Sequence, residues 1–286
     1  ECRIVARYGV GTDNVDTAAA TEAGIIVGHA PVYGTDEVSS HAVALLLSCI
    51  RDIAGTHTRM QAGAWDIRRQ VPILRTSGRT LGLVGLGNIG SAVARKMGGW
   101  NLRILATDPF VDPNHARRLG VTLVDMQTLC RESDYISLHC PLLPETRHLI
   151  STSTLNLMKP GVILINTSRG PVVNTDDLLQ ALDEGRIARA GLDVFETEPL
   201  PDSSPLRNHP GIILSDHVAW YSEESQVQLQ KTIATEVVRV CRGELPVSLA
   251  NPEVLIRLGR FAEWKPPANM AWQLKRLGIN ADVPHA

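Results

Sequence analysis

The sequence is short of net charge, long apolar runs, aromatic side chains and closely spaced cysteines. Its 286 residues carry a formal net charge of −2, which argues against a broad electrostatic surface for nucleic acid or membrane. No apolar run approaches the ~20 residues that are needed to span a bilayer. The opening residues, ECRIVARYGV, lack the basic and long apolar segments of a signal peptide. We therefore expect a cytoplasmic globular protein with no direct nucleic-acid partner and no membrane partner.

The five cysteines form no C-x-x-C pair and no spacing that is typical of a metal site. Cys49 and Cys140 lie inside apolar runs, which favours buried free thiols in a reducing compartment. We expect no bound metal.

Short apolar segments alternate with helical patterns from Thr80 onward. The apolar segments are LGLVG, LRILATD, YISLHC, GVILINTS, IARAGLDVF and GIILSD, and segments such as TSTLNLMKPG and NTDDLLQALDEGR between them are predicted helices. Strands that are apolar throughout and separated by helices imply a parallel sheet covered on both faces. The pattern predicts an α/β fold with a doubly wound parallel sheet.

A glycine-rich turn follows the first of these strands. Gly85, Gly87 and Gly90 have G-x-G-x-x-G spacing between an apolar strand and a helix, the context in which this motif binds a dinucleotide pyrophosphate. The next strand ends in Asp108, and no arginine follows it directly, because Pro109 comes next. A carboxylate there can accept from the ribose hydroxyls of NAD and repels the 2′-phosphate of NADP. A solvated aspartate in a turn is the less favoured alternative, so we predict a Rossmann domain that binds NAD.

Three residues of catalytic type follow other strands: Arg169 after VILINTS, Glu198 after GLDVFET and His217 after GIILSD. Each alone also suits a surface arginine, a loop glutamate or a satisfied histidine. In an open parallel sheet, however, strand ends of this kind share the edge where ligands bind. Reduction of a 2-keto acid needs a cation for the carboxylate and carbonyl, as Arg169 offers, and a proton donor such as His217. Glu198, if hydrogen-bonded to His217, would favour the imidazolium form.

These residues lie in motifs that resemble those of the NAD-dependent D-2-hydroxyacid dehydrogenases, a family that includes phosphoglycerate dehydrogenases and the C-terminal binding protein corepressors. The motifs GLGNIG, LHCPLLPETRHLI, LINTSRGPVVN, GLDVFETEP and DHVAWYSEES occur in the family's order. The resemblance covers roughly Arg3 to Pro252. It implies a substrate-binding Arg169 and an acid/base dyad of His217 and Glu198, which transfers a proton while a hydride moves between NAD(H) and a small 2-hydroxy or 2-keto acid.

Further binding residues are implied by the resemblance, and one of them, Asp193, also ends a predicted strand and could hold the nicotinamide carboxamide. The expected cofactor-binding residues, besides the three glycines and Asp108, are Asn88, Ile89, Pro109, His139, Cys140, Pro141, Thr146, Thr167 and Asp193. Asn88 stands where family members usually have arginine, so one phosphate contact is expected to be weaker. On the substrate side, backbone N–H groups of Gly9, Val10 and Gly11 are expected to hold the carboxylate, with Arg7 as a second cation.

The acid/base segment HVAWYSEES most resembles the corepressor branch, in which a tryptophan three residues after the histidine walls the substrate pocket. Trp220 takes that position here; ordinary packing of an aromatic side chain is the alternative. The likeness also keeps open a second function, that of an NAD(H)-regulated binding protein with little turnover.

The resemblance also sets the expected domain organisation. Residues 1–33 are interpreted as the remnant of a smaller, flavodoxin-like substrate domain that lacks its N-terminal part. Residues 34–221 form the NAD-binding domain, and residues 222–286 form a helix that returns to the substrate domain, followed by a tail. A single long helix from Thr35 to Gly63, with Thr35 as its N-cap, resembles the helix through which the family dimerises, which predicts a homodimer; burial of its apolar stretch against its own sheet is the alternative.

Overall fold

The computed structural model of the chain describes residues 2–67, 71–260 and 263–264. The chain divides into two compact units, which are described separately. The central unit is Thr35–Trp220, and the flanking unit consists of Glu1–Gly34 together with Tyr221–Ala286.

The elements alternate regularly along the chain. The strands are β1 (Ile4–Ala6), β2 (Ile26–Gly28), β3 (Thr80–Val84), β4 (Arg103–Thr107), β5 (Val121–Leu123), β6 (Tyr135–Leu138), β7 (Val162–Asn166), β8 (Ile187–Leu192) and β9 (Ile212–Leu214). The α-helices are α1 (Thr17–Glu22), α2 (Thr35–Arg51), α3 (Ile53–Gln61), α4 (Asn88–Met97), α5 (Pro113–Arg118), α6 (Met126–Glu132), α7 (Thr152–Leu155), α8 (Thr175–Asp183), α9 (Glu223–Cys241) and α10 (Val254–Arg257). Short 3₁₀ helices occupy Gly98–Trp100, Gly170–Val172 and Pro205–Asn208.

The central unit is built on a seven-stranded sheet with the order β5-β4-β3-β6-β7-β8-β9. Every neighbouring pair in it is parallel. The direction in which strands are added reverses between β3 and β6, and ligands of such sheets bind outside the carboxyl ends of the strands at this reversal. The prediction of a doubly wound Rossmann sheet is confirmed.

The sheet is covered on both faces. Along β7, Ile163 and Ile165 join a buried cluster that contains α2 and α4 side chains, whereas Val162 and Leu164 join a second cluster with side chains from α6 and α8. Because successive side chains of a strand point to opposite faces, this alternation identifies two separate cores. It explains why the strands contain apolar residues throughout instead of an alternating pattern.

The prediction of one helix from Thr35 to Gly63 is wrong. Thr35 is the first helical residue, and the helix breaks at Asp52, whose backbone is left-handed with φ 53°. The break turns the Asp52 carboxylate toward two guanidinium groups: Arg59 Nη2 lies 2.7 Å away, and Nε of the buried Arg189 in β8 lies 3.4 Å away. A buried cation requires such a partner, and this requirement is invisible in a local helical pattern.

The alternative interpretation of the α2 apolar stretch is supported in part. Its buried residues, among them Ala42, Leu45, Leu46 and Cys49, belong to the cluster on one face of the chain's own sheet. The following helix, α3, has no buried residue. No single described helix is long and apolar enough to cross a membrane. Helices α2 and α3 reach the necessary length and apolar composition only if they are counted together, across a 61° bend between them.

Other local predictions vary in accuracy. Helix α8 is confirmed with its caps, because the Asn174 side chain accepts from Asp177 N at 3.0 Å and Gly185 follows with φ 70°. The helix after Ser222 is confirmed as α9 with a capping box. The segment TSTLNLMKPG forms only the four-residue α7, and β5 was not predicted because three residues carry little periodic signal.

The flanking unit contains the parallel pair β1 and β2. Buried Asn251 joins its N- and C-terminal parts: its Oδ1 accepts from Val27 N at 2.8 Å, and its Nδ2 donates to Thr21 Oγ1 and the Ile25 carbonyl. Of the predicted tail after Asn251, residues 252–260, 263 and 264 are described and include α10, and the other residues lie outside the described part of the chain.

Candidate active site

The three predicted catalytic residues lie just after the carboxyl ends of three adjacent strands. Arg169 follows β7, Glu198 follows β8 and His217 follows β9, and these strands are neighbours in the sheet. The parallel topology therefore brings the three residues to one edge of the central unit, which is the ligand-binding edge of this fold.

Glu198 and His217 form a hydrogen-bonded pair. His217 Nδ1 lies 2.6 Å from Glu198 Oε2, while Glu198 Oε1 accepts from Phe195 N at 2.9 Å. A carboxylate accepts and does not donate, so Nδ1 carries the hydrogen and Nε2 is the nitrogen left for another molecule. Both side chains keep a third or more of their surface exposed. The pair can thus exchange a proton with a ligand through Nε2.

The backbone of His217 is held in the left-handed region, with φ 58°. This conformation is unfavourable for a residue with a Cβ and persists only when the surroundings hold it. Asp193 supplies these restraints. Its carbonyl accepts from His217 N at 2.8 Å, and its carboxylate accepts from Val218 N and Ala219 N at 3.0 Å each.

Asp193 was predicted to contact the cofactor, and its hydrogen bonds limit that role. The residue is 1% exposed, and its carboxylate also accepts from Ser215 Oγ at 2.6 Å. Three of about four lone-pair positions are therefore used by donors in the loop after β9. At most one remains for a ligand, so a cofactor contact stays a prediction.

The turn that carries Arg169 is fixed by two small residues that sequence reasoning did not single out. Buried Asn166 donates through Nδ2 to the Arg169 carbonyl at 2.9 Å, and its Oδ1 accepts from Ser168 N and Oγ. A Cβ on Gly170 would lie 1.9 Å from the carbonyl carbon of Phe195. The Arg169 turn is consequently packed directly against the backbone that leads to Glu198.

The glycine turn excludes a side chain at Gly85 and Gly90 and leaves open space at Gly87. Gly85 has φ 94°, and a Cβ there would contact the His139 backbone at 2.9 Å. A Cβ on Gly90 would lie 2.2 Å from the Gly85 carbonyl oxygen, whereas a Cβ on Gly87 would meet no atom within 4 Å. Helix α4 begins at Asn88 and has no side-chain cap. Its first N–H groups, including those of Asn88 and Ile89, are therefore free of a side-chain partner and suit an anion.

Asp108 lies beside this turn and helps to shape it. Its Oδ2 accepts from Leu86 N at 2.8 Å, and its Oδ1 accepts from Phe110 N and Val111 N at 2.9 and 3.1 Å. One acceptor position on Oδ2 is left by this count. Asp108 thus has a structural role as well as the predicted ribose contact, and Pro109 beside it is exposed.

Two predicted cofactor-lining residues have buried polar atoms without a partner. The hydroxyl of Thr167 and both ring nitrogens of His139 make no hydrogen bond in the described part of the chain. Burial lowers the pKa of His139 to about 4, so its ring is neutral near pH 7. Unpaired buried polar groups are costly, and a polar ligand at this sheet edge would satisfy them. The residues present therefore fit a dinucleotide.

The segment after His139 is structured by its own contacts. Cys140 is buried, which raises the pKa of its thiol to about 12. Thr146 Oγ1 donates to the Pro141 carbonyl at 2.6 Å and accepts from Leu143 N at 2.8 Å. The hydroxyl of Thr146 is thus engaged in shaping the loop, and cofactor contacts of Cys140, Pro141 and Thr146 stay predictions.

The predicted substrate residues other than Trp220 lie in the flanking unit. Buried Gly9 has φ 147°, Val10 and Gly11 are at least partly exposed, and Arg7 Nη1 donates to the Tyr8 carbonyl. The roles of Arg7, Gly9, Val10 and Gly11 stay predictions. In the central unit, Trp220 is half-buried, and its role as a pocket wall stays a prediction as well.

Within the described residues, no cluster of histidine, cysteine and carboxylate side chains could hold a metal ion.

Comparisons with known proteins identify the chain's relatives. The sequence pattern described as "D-isomer specific 2-hydroxyacid dehydrogenase, NAD binding domain" matches residues 43–219, more than half of the chain. The chain belongs to this dehydrogenase family. The match covers the glycine turn, Asp108 and all three catalytic candidates, so NAD is the cofactor of the domain that contains them.

Relatives and solved structures agree with the family. A glyoxylate reductase of Korarchaeum cryptofilum is 41% identical over 88% of this chain and 77% of its own length. A D-3-phosphoglycerate dehydrogenase of Methanocaldococcus jannaschii is 38% identical over 87% of this chain but only 47% of its own. The D-lactate dehydrogenase of Aquifex aeolicus, solved with NAD and lactic acid, has 28% identity and a TM-score of 0.81, covering 87% of this chain and 80% of that one. The corepressor alternative gains no support from these enzymes.

The buried His139 predicts a dependence of stability on pH. The unfolded chain binds a proton on this side chain near pH 6.5, whereas the folded chain resists protonation until about pH 4. The free energy of unfolding is therefore unaffected by His139 above about pH 6.5. It decreases as the pH falls below that value, by roughly 2 kcal/mol at about pH 5. Urea unfolding of the cofactor-free protein at pH 7 and pH 5 measures this loss.

The variant His139→Leu should show a smaller loss between the two pH values than the wild type. His57→Leu, which removes an exposed histidine of α3, is the matched control and should leave the loss unchanged. Equal losses in the wild type and in His139→Leu would contradict the assignment.

Proposed function

We propose that the chain is an NAD-dependent 2-hydroxyacid dehydrogenase that reduces a small 2-keto acid to the corresponding hydroxy acid. The observation that carries the proposal is the 2.6 Å hydrogen bond between His217 and Glu198, at the sheet edge that also holds Arg169. When bound, NADH supplies the hydride that adds to the carbonyl carbon. The side chains named here bind the acid and move the proton.

Arg169 is assigned to the substrate carboxylate and carbonyl oxygen. A guanidinium is always charged and planar, so it can pair with a carboxylate and also stabilise the negative charge that develops on the carbonyl oxygen. The buried Asn166 and the close packing of Gly170 support this role by fixing the turn on which Arg169 is carried.

His217 is assigned the proton transfer. In reduction, the Nε2–H of its imidazolium form donates a proton to the carbonyl oxygen; in the reverse reaction, the neutral Nε2 takes it from the hydroxyl group. Glu198 holds Nδ1, which keeps Nε2 directed to the ligand and stabilises the positive charge on the ring. The Phe195 N–H in turn fixes Glu198.

The proposal predicts NADH oxidation with a panel of glyoxylate, pyruvate and 3-phosphohydroxypyruvate, followed by absorbance. His217→Gln should lower kcat by roughly 10²- to 10⁴-fold, the usual contribution of a general acid, with NADH affinity nearly unchanged. Glu198→Gln should leave a slower enzyme. The double variant should lose about as much activity as His217→Gln alone, because the effects of substituting two residues that act as one unit do not add.

The exposed His57 and Glu224 provide matched controls, and His57→Gln and Glu224→Gln should retain activity. Arg169→Lys should lose more activity than its retained charge suggests, because an ammonium cannot make the planar contact. Absence of NADH oxidation with every acid would refute the proposed function. Independent, multiplying losses in the double variant would instead refute the dyad.

The proposal includes a preference for NADH over NADPH, supported by the position of Asp108 beside the glycine turn. A carboxylate there repels a 2′-phosphate. Replacement by alanine would also remove the acceptor for Leu86 N, so Asp108→Asn is the better probe, because it removes the charge and keeps one acceptor oxygen.

Fluorescence titration should show tighter binding of NADH than of NADPH by the wild type. Asp108→Asn should weaken NADH binding and reduce the difference between the two cofactors. Asp112→Asn, which removes a nearby exposed carboxylate, should leave the ratio of the two affinities unchanged. Equal affinities of the wild type for both cofactors would rule out the preference.

We also propose that the chain forms a homodimer through α3 and the residues that follow it. Trp65 and Ile67 are 88% and 90% exposed, and Ile53 and Met60 of α3 are also exposed. Several large apolar side chains exposed close together in the sequence are typical of a protein interface.

The three buried free thiols, Cys49, Cys130 and Cys140, suit a reducing compartment, so the proposed location is the cytoplasm.

The dimer proposal predicts a twofold assembly in sedimentation velocity at micromolar concentration. The double variant Trp65→Glu with Ile67→Glu should shift the protein toward monomer, because charged side chains would have to be desolvated at the interface. Trp100→Glu changes another exposed tryptophan and should leave the assembly intact. A monomeric wild type would contradict the proposal.

A further inference from the structure

A chain of hydrogen bonds connects helix α2 to the loop that carries His217. His41 Nε2 on α2 lies 2.8 Å from Ser215 Oγ, and Ser215 Oγ lies 2.6 Å from Asp193 Oδ1. His41 Nε2 is itself 3.6 Å from the same carboxylate oxygen. All four residues belong to the central unit. Neither His41 nor Ser215 is among the residues assigned to substrate, cofactor or proton transfer.

The direction of these bonds follows from the chemistry of the groups. The Asp193 carboxylate can only accept, so the Ser215 hydroxyl must donate its single hydrogen to it. The Ser215 oxygen is then the acceptor for the imidazole, and His41 must carry a hydrogen on Nε2. The two hydrogen bonds therefore run in one direction: His41 donates to Ser215, and Ser215 donates to Asp193.

This polarity orients Asp193 toward the acid/base loop. With Oδ1 bound by Ser215, the carboxylate is turned so that Oδ1 and Oδ2 accept from Val218 N and Ala219 N. Those two bonds, with the bond from His217 N to the Asp193 carbonyl, hold His217 in its left-handed conformation. Helix α2 is a rigid support, because its neighbouring residues Ala42 and Leu45 are buried against the sheet.

We infer that His41 and Ser215 are positioning residues, which act through Asp193 to set the direction of the His217 imidazole. The inference rests on the proposed acid/base role of His217. It predicts that loss of either residue lowers turnover and leaves the affinity for NADH nearly unchanged, because Asp193 keeps its carboxylate and the hydrogen bonds from His41 to Asp193 do not reach the glycine turn or α4.

The test compares two pairs of variants. His41→Leu removes the donor, whereas His41→Gln keeps an N–H near the position of Nε2; Ser215→Ala removes the hydroxyl, whereas Ser215→Thr keeps it. We expect kcat to fall about tenfold in the Leu and Ala variants, roughly the weight of one hydrogen bond, with the NADH dissociation constant within about twofold of wild type. The Gln and Thr variants should restore most of the lost turnover, which a purely steric role would not require.

Two further measurements complete the design. Ser203→Ala, at an exposed serine, is the matched control and should keep full activity, and the double variant His41→Leu with Ser215→Ala should be no slower than either single variant. Long-range ¹H–¹⁵N NMR of the imidazole should find His41 as the Nε2–H tautomer in the wild type.

The NMR result does not depend on turnover, so it separates the two hypotheses. A wild type that reduces no 2-keto acid but shows the Nε2–H tautomer would refute the proposed function and leave the hydrogen-bond chain intact. An Nδ1–H tautomer, unchanged kcat in both the Leu and Ala variants, or losses that multiply in the double variant would overturn the inference.

Discussion

A carboxylate that is 1% exposed must find hydrogen-bond donors inside the protein, and Asp193 finds them in the residues around His217. Its side chain binds Ser215, Val218 and Ala219, and its carbonyl binds His217. These bonds hold the unfavourable backbone at His217, whose Nδ1 contacts Glu198. The candidate site is thus organised from a buried residue that lies one position beyond the end of β8.

Two glutamates in the loop after β8 each contact a different histidine. Glu198 accepts from His217, whereas Glu196 Oε1 lies 2.6 Å from His148 Nε2 and its Oε2 accepts from Thr175 N, at the start of α8. Burial raises the pKa of Glu196, but the hydrogen bonds from Thr175 and the neighbouring His148 together outweigh it, so the pKa lies below its ordinary value. One glutamate therefore anchors the loop to the protein, and the other presents a carboxylate to the acid/base histidine.

Much of this site could be predicted from the sequence because the required signals are local. The spacing of Gly85, Gly87 and Gly90 reflects contacts within one strand–turn–helix unit, and the wholly apolar strands report a sheet buried on both faces. The order of parallel strands then brings Arg169, Glu198 and His217 to one edge without any knowledge of their side chains.

The remainder depends on contacts between distant parts of the chain. The break at Asp52 follows from a buried arginine in β8, and the tie between His41 and Ser215 joins residues that are 174 positions apart. Asp193 was predicted to contact the cofactor from its position at a strand end and from the family resemblance, and its neighbours in the sequence gave no indication of the loop that it also binds. An aspartate directly after a buried strand, followed by a histidine segment after the next strand, is the only local signal that could have suggested this role.

The most direct test of this account is amide hydrogen exchange in Asp193→Asn, a change that keeps the shape and replaces one acceptor oxygen by a donor. The account predicts faster exchange at Val218 and Ala219, unchanged exchange at the β7 amides of Ile163 and Leu164, and loss of keto-acid reduction. Wild-type exchange at Val218 and Ala219, whatever the activity, would contradict the claim that the Asp193 carboxylate holds the acid/base loop.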